Sequence, residues 1–167
     1  MENLLKLLKI RRSVRLFENK EIAKEKLEEI VDVARYAPTA RNVQPWEFVV
    51  VTDKKKIVEL ASLGQNAKFM DQAAACIAVF SLQTNYFLED GSAATCNILL
   101  AATALGIGSC WIAGDKKPYC QQAGNLLNAP SGMKLISLIA LGYPQDVDAF
   151  KVMEKRNLKE LLHWEKF

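Results

Sequence analysis

Apolar positions fall at helical spacing near the start of the chain and become dense and strand-like further on. Leu4, Leu5, Leu7 and Leu8 form one stripe, and Leu27, Ile30, Val31 and Ala34 repeat the spacing across Lys24 to Ala37; both stretches are expected as amphipathic helices. Pro38 disfavours helical geometry at Ala37, which ends the second helix and delivers Thr39 to Gln44 as a loop held between two prolines. Glu47 to Thr52 is β-branched and aromatic, as a buried strand requires, and Asp53 is placed to cap a helix that ends at Gly64. Ala75 to Ser81 reads as a second core strand, with Ser109 to Ala113 and Leu135 to Leu141 as two more. Tyr86 to Leu105 is alanine-rich and apolar almost all round, which suits a helix buried in a core or subunit interface and stopped by Gly106. Asp115 to Leu127 is expected as a helix broken by Gly124. Met153 to Phe167 carries Leu158, Leu161, Leu162 and Trp164 among charges, and the expected cover for them is another subunit.

Length and composition narrow the function. The 167 residues, half of them hydrophobic, suffice for one domain over residues 1–167 and are too few for two ordinary ones. With 22 basic and 19 acidic residues the net charge is +3 and dispersed, so no nucleic-acid partner is expected. The first ten residues include Glu2 and lack a small-residue cleavage site, unlike a secretory signal. The apolar tracts Ala73 to Phe80 and Ile98 to Leu105 fall short of the ~18 residues a membrane span needs, so no membrane association is expected. Cys76, Cys96, Cys110 and Cys120 have no two-residue spacing, which argues against a disulfide framework and a thiolate metal site and for free thiols in a cytoplasmic protein. His163 is the single histidine, leaving almost no material for a histidine metal cluster or a Ser-His-Asp triad.

Arg11-Arg12-Ser13-Val14-Arg15 places three guanidiniums and a hydroxyl within five residues. Such groups can converge on a phosphate dianion and a polar ring edge, because each guanidinium is a permanently charged, planar fork of donors. Alone, a basic run of this kind also fits a solvated face, a kinase substrate or a nuclear signal. Pro38 to Trp46 is a rigid loop offering a hydroxyl and two side-chain amides, suited to a heterocycle edge or simply to capping a helix end. Lys155-Arg156 alone would be an ordinary surface pair. Gly106-x-Gly108 lacks the third glycine and following helix of a dinucleotide fingerprint, so a Rossmann reading fails.

Taken together, Arg-Arg-Ser-Val-Arg, Pro-Thr-Ala-Arg-Asn-Val-Gln-Pro-Trp, Ile139-Ala140-Leu141-Gly142-Tyr143-Pro144 and Lys155-Arg156 ahead of His163-Trp164-Glu165-Lys166-Phe167 resemble the FMN-dependent nitroreductase family over nearly the whole chain. The resemblance implies an α+β fold, with a mixed, mainly antiparallel central sheet flanked by helices in an intertwined homodimer. Pattern alone would suggest parallel crossovers. By resemblance, Arg11 and Ser13 bind the FMN phosphate and ribityl end and Arg12 lines the same groove. Arg15 reaches the N1/O2 edge of the ring, where a fixed cation stabilises reduced flavin, and is the catalytic residue. Lys155 and Arg156 close the phosphate cradle from the other side. Pro38, Thr39 and Asn42 arrive from the partner subunit, with Gln44 structural or ring-facing.

The same resemblance places Gly106 to Trp111 beside the ring, with Cys110 as packing. Gln65-Asn66-Ala67-Lys68 is either a ring or substrate contact or a solvated turn. Phe69, Tyr86, Phe87, Trp111, Tyr119 and Phe150 are pocket lining or core, and Asp90 is expected to pair locally. The implied reaction is ping-pong. NADH or NADPH gives hydride to flavin N5, and a nitroaromatic, quinone or other conjugated acceptor removes the electrons. The chain lacks the long insertion that covers the pocket in larger members, and Asp115 to Gly132 departs from the family pattern. The alternative is a flavin-binding carrier module reduced by a ferredoxin-like or flavodoxin-like partner, with little intrinsic nicotinamide-dependent activity.

Overall fold

Strand Ala75–Leu82 is buried at every position but its last because helices cover both of its faces. The computed structural model describes residues 2–167, and side chains of the first helix from Leu4. Its elements in chain order are α1 (Glu2–Ile10), α2 (Lys24–Ala34), β1 (Trp46–Val51), α3 (Lys54–Ser62), β2 (Ala75–Leu82), α4 (Phe87–Ala104), β3 (Gly108–Ala113), α5 (Cys120–Leu126) and β4 (Met133–Gly142). Short 3-10 turns span Ala40–Asn42, Gln65–Gln72 and Leu158–Glu160.

The strands form one sheet in the order β1-β2-β4-β3, antiparallel throughout. Alternation assigns the two cores. Ala75, Ile77 and Val79 of β2 join Ile139 and Leu141 of β4 beneath Leu27, Ile30, Ile98 and Ala102 of α2 and α4. Cys76, Ala78 and Phe80 join Leu138 and Ala140 on the other face, beneath Ile57 and Leu60 of α3, Met70 and Ala123. The register skips Ile136, a bulge opposite the Val79–Phe80 step. Ser137 then turns towards α4, where its hydroxyl lies 2.8 Å from that of Thr95, satisfying both inside the core.

The mainly antiparallel α+β fold implied by the resemblance is thus the one observed, and the parallel crossovers suggested by pattern are absent among the described residues. The parallel element that does occur is a single bridge, Ser13 to Ser109, outside the named strands. Asp53 caps α3 as expected, accepting from the Lys56 amide at 2.9 Å. Gly106 ends α4 with φ +71°, a left-handed conformation that favours glycine. Two expectations are corrected. Gly124 lies inside α5 without breaking it, and the helix begins only at Cys120 because residues 114–120 close successive turns, Lys117 N–H to Gly114 O and Cys120 N–H to Lys117 O. The tail is exposed throughout, from Lys151 to Phe167. Among the described residues no helix is long and apolar enough to cross a membrane.

Candidate functional site

After α1 the chain runs extended along the start of β3 and past the end of β4. Val14 N–H donates to Ser109 O at 2.9 Å, Glu18 N–H to Tyr143 O at 2.8 Å and Gln145 N–H to Leu16 O at 3.2 Å. The Gln145 side chain adds a bond to Phe17 O at 2.7 Å. Val14 and Phe17 are buried, whereas Ser13, Arg15 and Leu16 are exposed and Arg11 and Arg12 half-buried. Two glycines make the approach possible. A Cβ on Gly108 would sit 2.9 Å from the Val14 side chain, and one on Gly142 would sit 2.7 Å from the Phe17 ring.

The polar groups of the segment bear on one thiol, that of Cys110. Burial pushes the Cys110 thiol up from its ordinary value, while the Arg15 charge, the Ser13 hydroxyl and the Arg11 charge pull it back. Among the described residues the ion pairs are Lys24–Glu28, Asp32–Arg35 and Arg156–Glu160, so Arg11, Arg12 and Arg15 stand without carboxylate partners. Beside them opens a cleft of about 590 Å³, whose lining includes Arg15, Gln65, Phe69, Trp111, Lys117 and Tyr119. The Arg15 guanidinium lies 5.6 Å from the centre of the Phe69 ring, close enough for a cation–π contact. Tyr119 forms the back wall: its hydroxyl donates to Ala113 O and its ring rests on Gly64, where a Cβ would come within 2.9 Å.

Two cations and no acid line this cleft, which also offers aromatic faces and a backbone floor at β3. That donor set fits an anionic, planar, heteroaromatic group such as FMN. A larger groove of about 830 Å³ between the start of α2 and the outer edge of β1 is less suited, since its Lys24 is already 3.2 Å from Glu28.

The Pro38–Gln44 loop stands at the opposite corner of the sheet. Trp46, which follows it, pairs with Ser81 and through it with Lys134, whereas Ser13 bridges Ser109, which pairs with Leu141. Lys134 and Leu141 are roughly 24 Å apart along β4, and the two outer strands are roughly 14 Å apart across the sheet. One chain therefore does not bring Pro38, Thr39 and Asn42 to Arg11–Arg15. Within the loop, Arg41, Asn42 and Gln44 have φ of 53°, 56° and 51°, left-handed conformations that cost non-glycine residues roughly 1–2 kcal/mol each.

Asp90, expected to pair locally, instead reaches across the fold. It is 5% exposed and accepts from the Thr39 hydroxyl at 3.0 Å and from the Ala40 amide at 3.1 Å. Lys155 and Arg156 lie in the exposed tail, Arg156 3.5 Å from Glu160, and among the described residues no hydrogen bond or ion pair ties them to the first arginine cluster. Of the aromatics singled out from sequence, Phe69, Trp111 and Tyr119 line the cleft, whereas Phe87 packs in the core beneath α2 and Tyr86 is exposed. Lys117 was missed, because nothing in Asp115-Lys116-Lys117-Pro118 distinguishes it from a solvated turn.

Comparison with known proteins bears on the whole chain. The model of the Nitroreductase family matches residues 8–66 and 61–143. An Archaeoglobus fulgidus protein provisionally named NADH dehydrogenase/NAD(P)H nitroreductase is 34% identical over 174 aligned positions, covering 100% of both chains. The iodotyrosine deiodinase of Thermotoga neapolitana is 27% identical, over 87% of this chain and 91% of its own. Among solved structures, an FMN-dependent nitroreductase of Clostridium difficile superposes with a TM-score of 0.89 at 29% identity, covering 98% of this chain and 99% of that one. A family match over most of the chain, on a fold shared nearly end to end, places this protein in the nitroreductase family.

Proposed function

We propose that this protein is an FMN-dependent oxidoreductase that works as a homodimer, with two equivalent sites at the subunit interface. The observation that carries the reading is the placement of Arg15 in a cleft with no acid among its described lining, on the same extended segment as Arg11 and Ser13, these arginines having no carboxylate partner among the described residues. Bound FMN would supply the redox chemistry, taking a hydride from NADH or NADPH and returning two electrons to a nitroaromatic, quinone or other conjugated acceptor in a ping-pong cycle.

The chain's own residues bind and orient. Arg11 and Ser13 hold the phosphate and ribityl end, Arg12 lines the groove, and Lys155 and Arg156 close the phosphate cradle. Arg15, braced against Phe69, keeps a fixed positive charge at the ring edge where negative charge develops, which is electrostatic stabilisation without a side-chain nucleophile. Pro38, Thr39 and Asn42 come from the partner subunit, because in one chain they stand at the far corner of the sheet. The acceptor stacks in the cleft between Phe69, Trp111 and Tyr119. Four free cysteines suit a reducing, cytoplasmic setting.

The test is the absorption spectrum of freshly purified protein before and after anaerobic NADH or NADPH. A bound flavin whose visible bands bleach promptly is the expected result. Bands that persist would replace the nicotinamide-driven enzyme by a carrier reduced by a ferredoxin-like or flavodoxin-like protein, and a colourless protein that FMN cannot reconstitute would overturn the flavin reading.

A further inference from the structure

The loop between α2 and β1 is held in an unfavourable shape, and a single buried carboxylate holds it. Its ends are fixed by packing, Ala37 and Trp46 being buried together against Ala94 of α4. Its middle contains the three left-handed residues Arg41, Asn42 and Gln44. A chain that only had to pass from a helix into a strand has no need of three such residues, and strain that persists is held by its surroundings. Here the restraint is Asp90, in the first turn of α4, where the helix N-terminus favours a negative charge.

The hydrogen bonds form a directed relay. Gln44 N–H donates to Thr39 Oγ1 at 3.2 Å, the Thr39 hydroxyl donates to Asp90 Oδ2 at 3.0 Å, and Ala40 N–H donates to Asp90 Oδ1 at 3.1 Å. Both groups facing Asp90 are donors, so only a residue with two acceptor oxygens satisfies them. The Thr39 hydroxyl hydrogen is taken up by Asp90 and is not available to a ligand. The exposed groups left on the loop are those of Pro38, Arg41, Asn42, Val43 and Gln44.

We propose that Asp90 is a positioning residue for the redox site: through Thr39 and Ala40 it latches the Pro38–Gln44 loop in the shape that completes the flavin site of the partner subunit. The proposal rests on the function proposed above, and it moves the Thr39 hydroxyl from cofactor ligand to latch. Asparagine at position 90 keeps the size of the side chain but offers one acceptor and one donor. Either the Ala40 amide or the Thr39 hydroxyl then loses its partner, or the hydroxyl turns round and its hydrogen opposes the Gln44 N–H.

The test measures FMN affinity of the full-length protein by fluorescence titration, with far-ultraviolet circular dichroism and sedimentation run alongside, for Asp90→Asn, Thr39→Val, the double variant and Thr39→Ser. Asp90→Asn and Thr39→Val should each weaken FMN about tenfold, while secondary structure and oligomeric state are retained. The double variant should bind no worse than the weaker single variant, because both break one relay. Thr39→Ser, which keeps the hydroxyl, should bind as tightly as the wild type. Should Asp90→Asn fail to fold, the contrast between Thr39→Val and Thr39→Ser decides. Wild-type affinity in Asp90→Asn, or additive losses in the double variant, would overturn the latch alone. A wild type that takes up no FMN would overturn the flavin reading and the latch with it.

Discussion

Arg11 and Arg15 leave the same extended segment but meet different surroundings: Arg11 is half-buried, while Arg15 is exposed and braced over Phe69. Their removal should therefore fail in different ways. Arg11→Ala deletes the proposed phosphate ligand, worth roughly 1.5–3 kcal/mol, and should yield largely colourless protein at dilute concentration; full flavin occupancy there would contradict the phosphate role. Arg15→Ala should keep much of its FMN but lower the two-electron potential by about 30–65 mV, the same energy range expressed for two electrons. Spectroelectrochemistry that finds the potential unchanged would remove Arg15 from the ring edge. Cys76 gives a pH prediction independent of the flavin. Burial pushes its thiol from 9.0 up to about 12, so the folded state holds the proton more tightly than the unfolded state. Its contribution to stability is intact below pH 9 and is lost as pH rises from there towards 12, at up to ~1.4 kcal/mol per pH unit. Urea denaturation of the wild type between pH 9 and 11 should show this slope, and Cys76→Ala, though less stable overall, should lose that part of it.

Between the elements, the arginine segment is aimed by backbone pairing and by two glycines. Gly108→Ala would drive a Cβ to 2.9 Å from Val14, an overpacking that costs roughly 1–3 kcal/mol or moves the segment. If the segment moves, FMN affinity falls, and Gly108→Ala combined with Val14→Ala should restore it. Weak binding that persists in the double variant would show that Gly108 acts otherwise than through Val14. The strands were legible in sequence because β-branched and apolar runs mark them, and α4 because it is apolar almost all round. The strand order was not, since Ala75 to Ser81 and Leu135 to Leu141 are apolar on both faces, and periodicity cannot say which strand lies beside which. The same limit applies to the site. Arg11, Ser13 and Arg15 were readable because they are adjacent in sequence, whereas the partnership of Asp90 with Thr39 spans 51 positions and leaves no local trace. Gly124 misled because glycine's cost in a helix is small enough for packing to override.

The molecule as a whole exposes more surface than a chain of its size should. Its accessible area is 10816 Å² for 18.7 kDa, where a folded monomer of that mass would expose about 8300 Å². The surplus is apolar in its conspicuous parts: Leu4 and Leu5 of α1 are 60% and 61% exposed, and Trp164 in the tail is 78% exposed. Exposed apolar surface on this scale marks an interface, and the proposed function, which brings the arginine segment and the Pro38–Gln44 loop to one site, asks for a second copy. Both fit the proposed dimer, with the tail of one chain covered by the other. Leu158→Glu with Leu162→Glu tests this without touching Lys155 or Arg156. Burying those two charges in an interface would be far more costly than leaving them in water, so the variant should sediment as a monomer while keeping the far-ultraviolet signature of the intact sheet. Its FMN should be released at the same time, because each monomer would retain the arginine segment but lose the loop supplied by its partner. A variant that stays dimeric, or a monomer that keeps its flavin, would mean that the site is built within one chain after all.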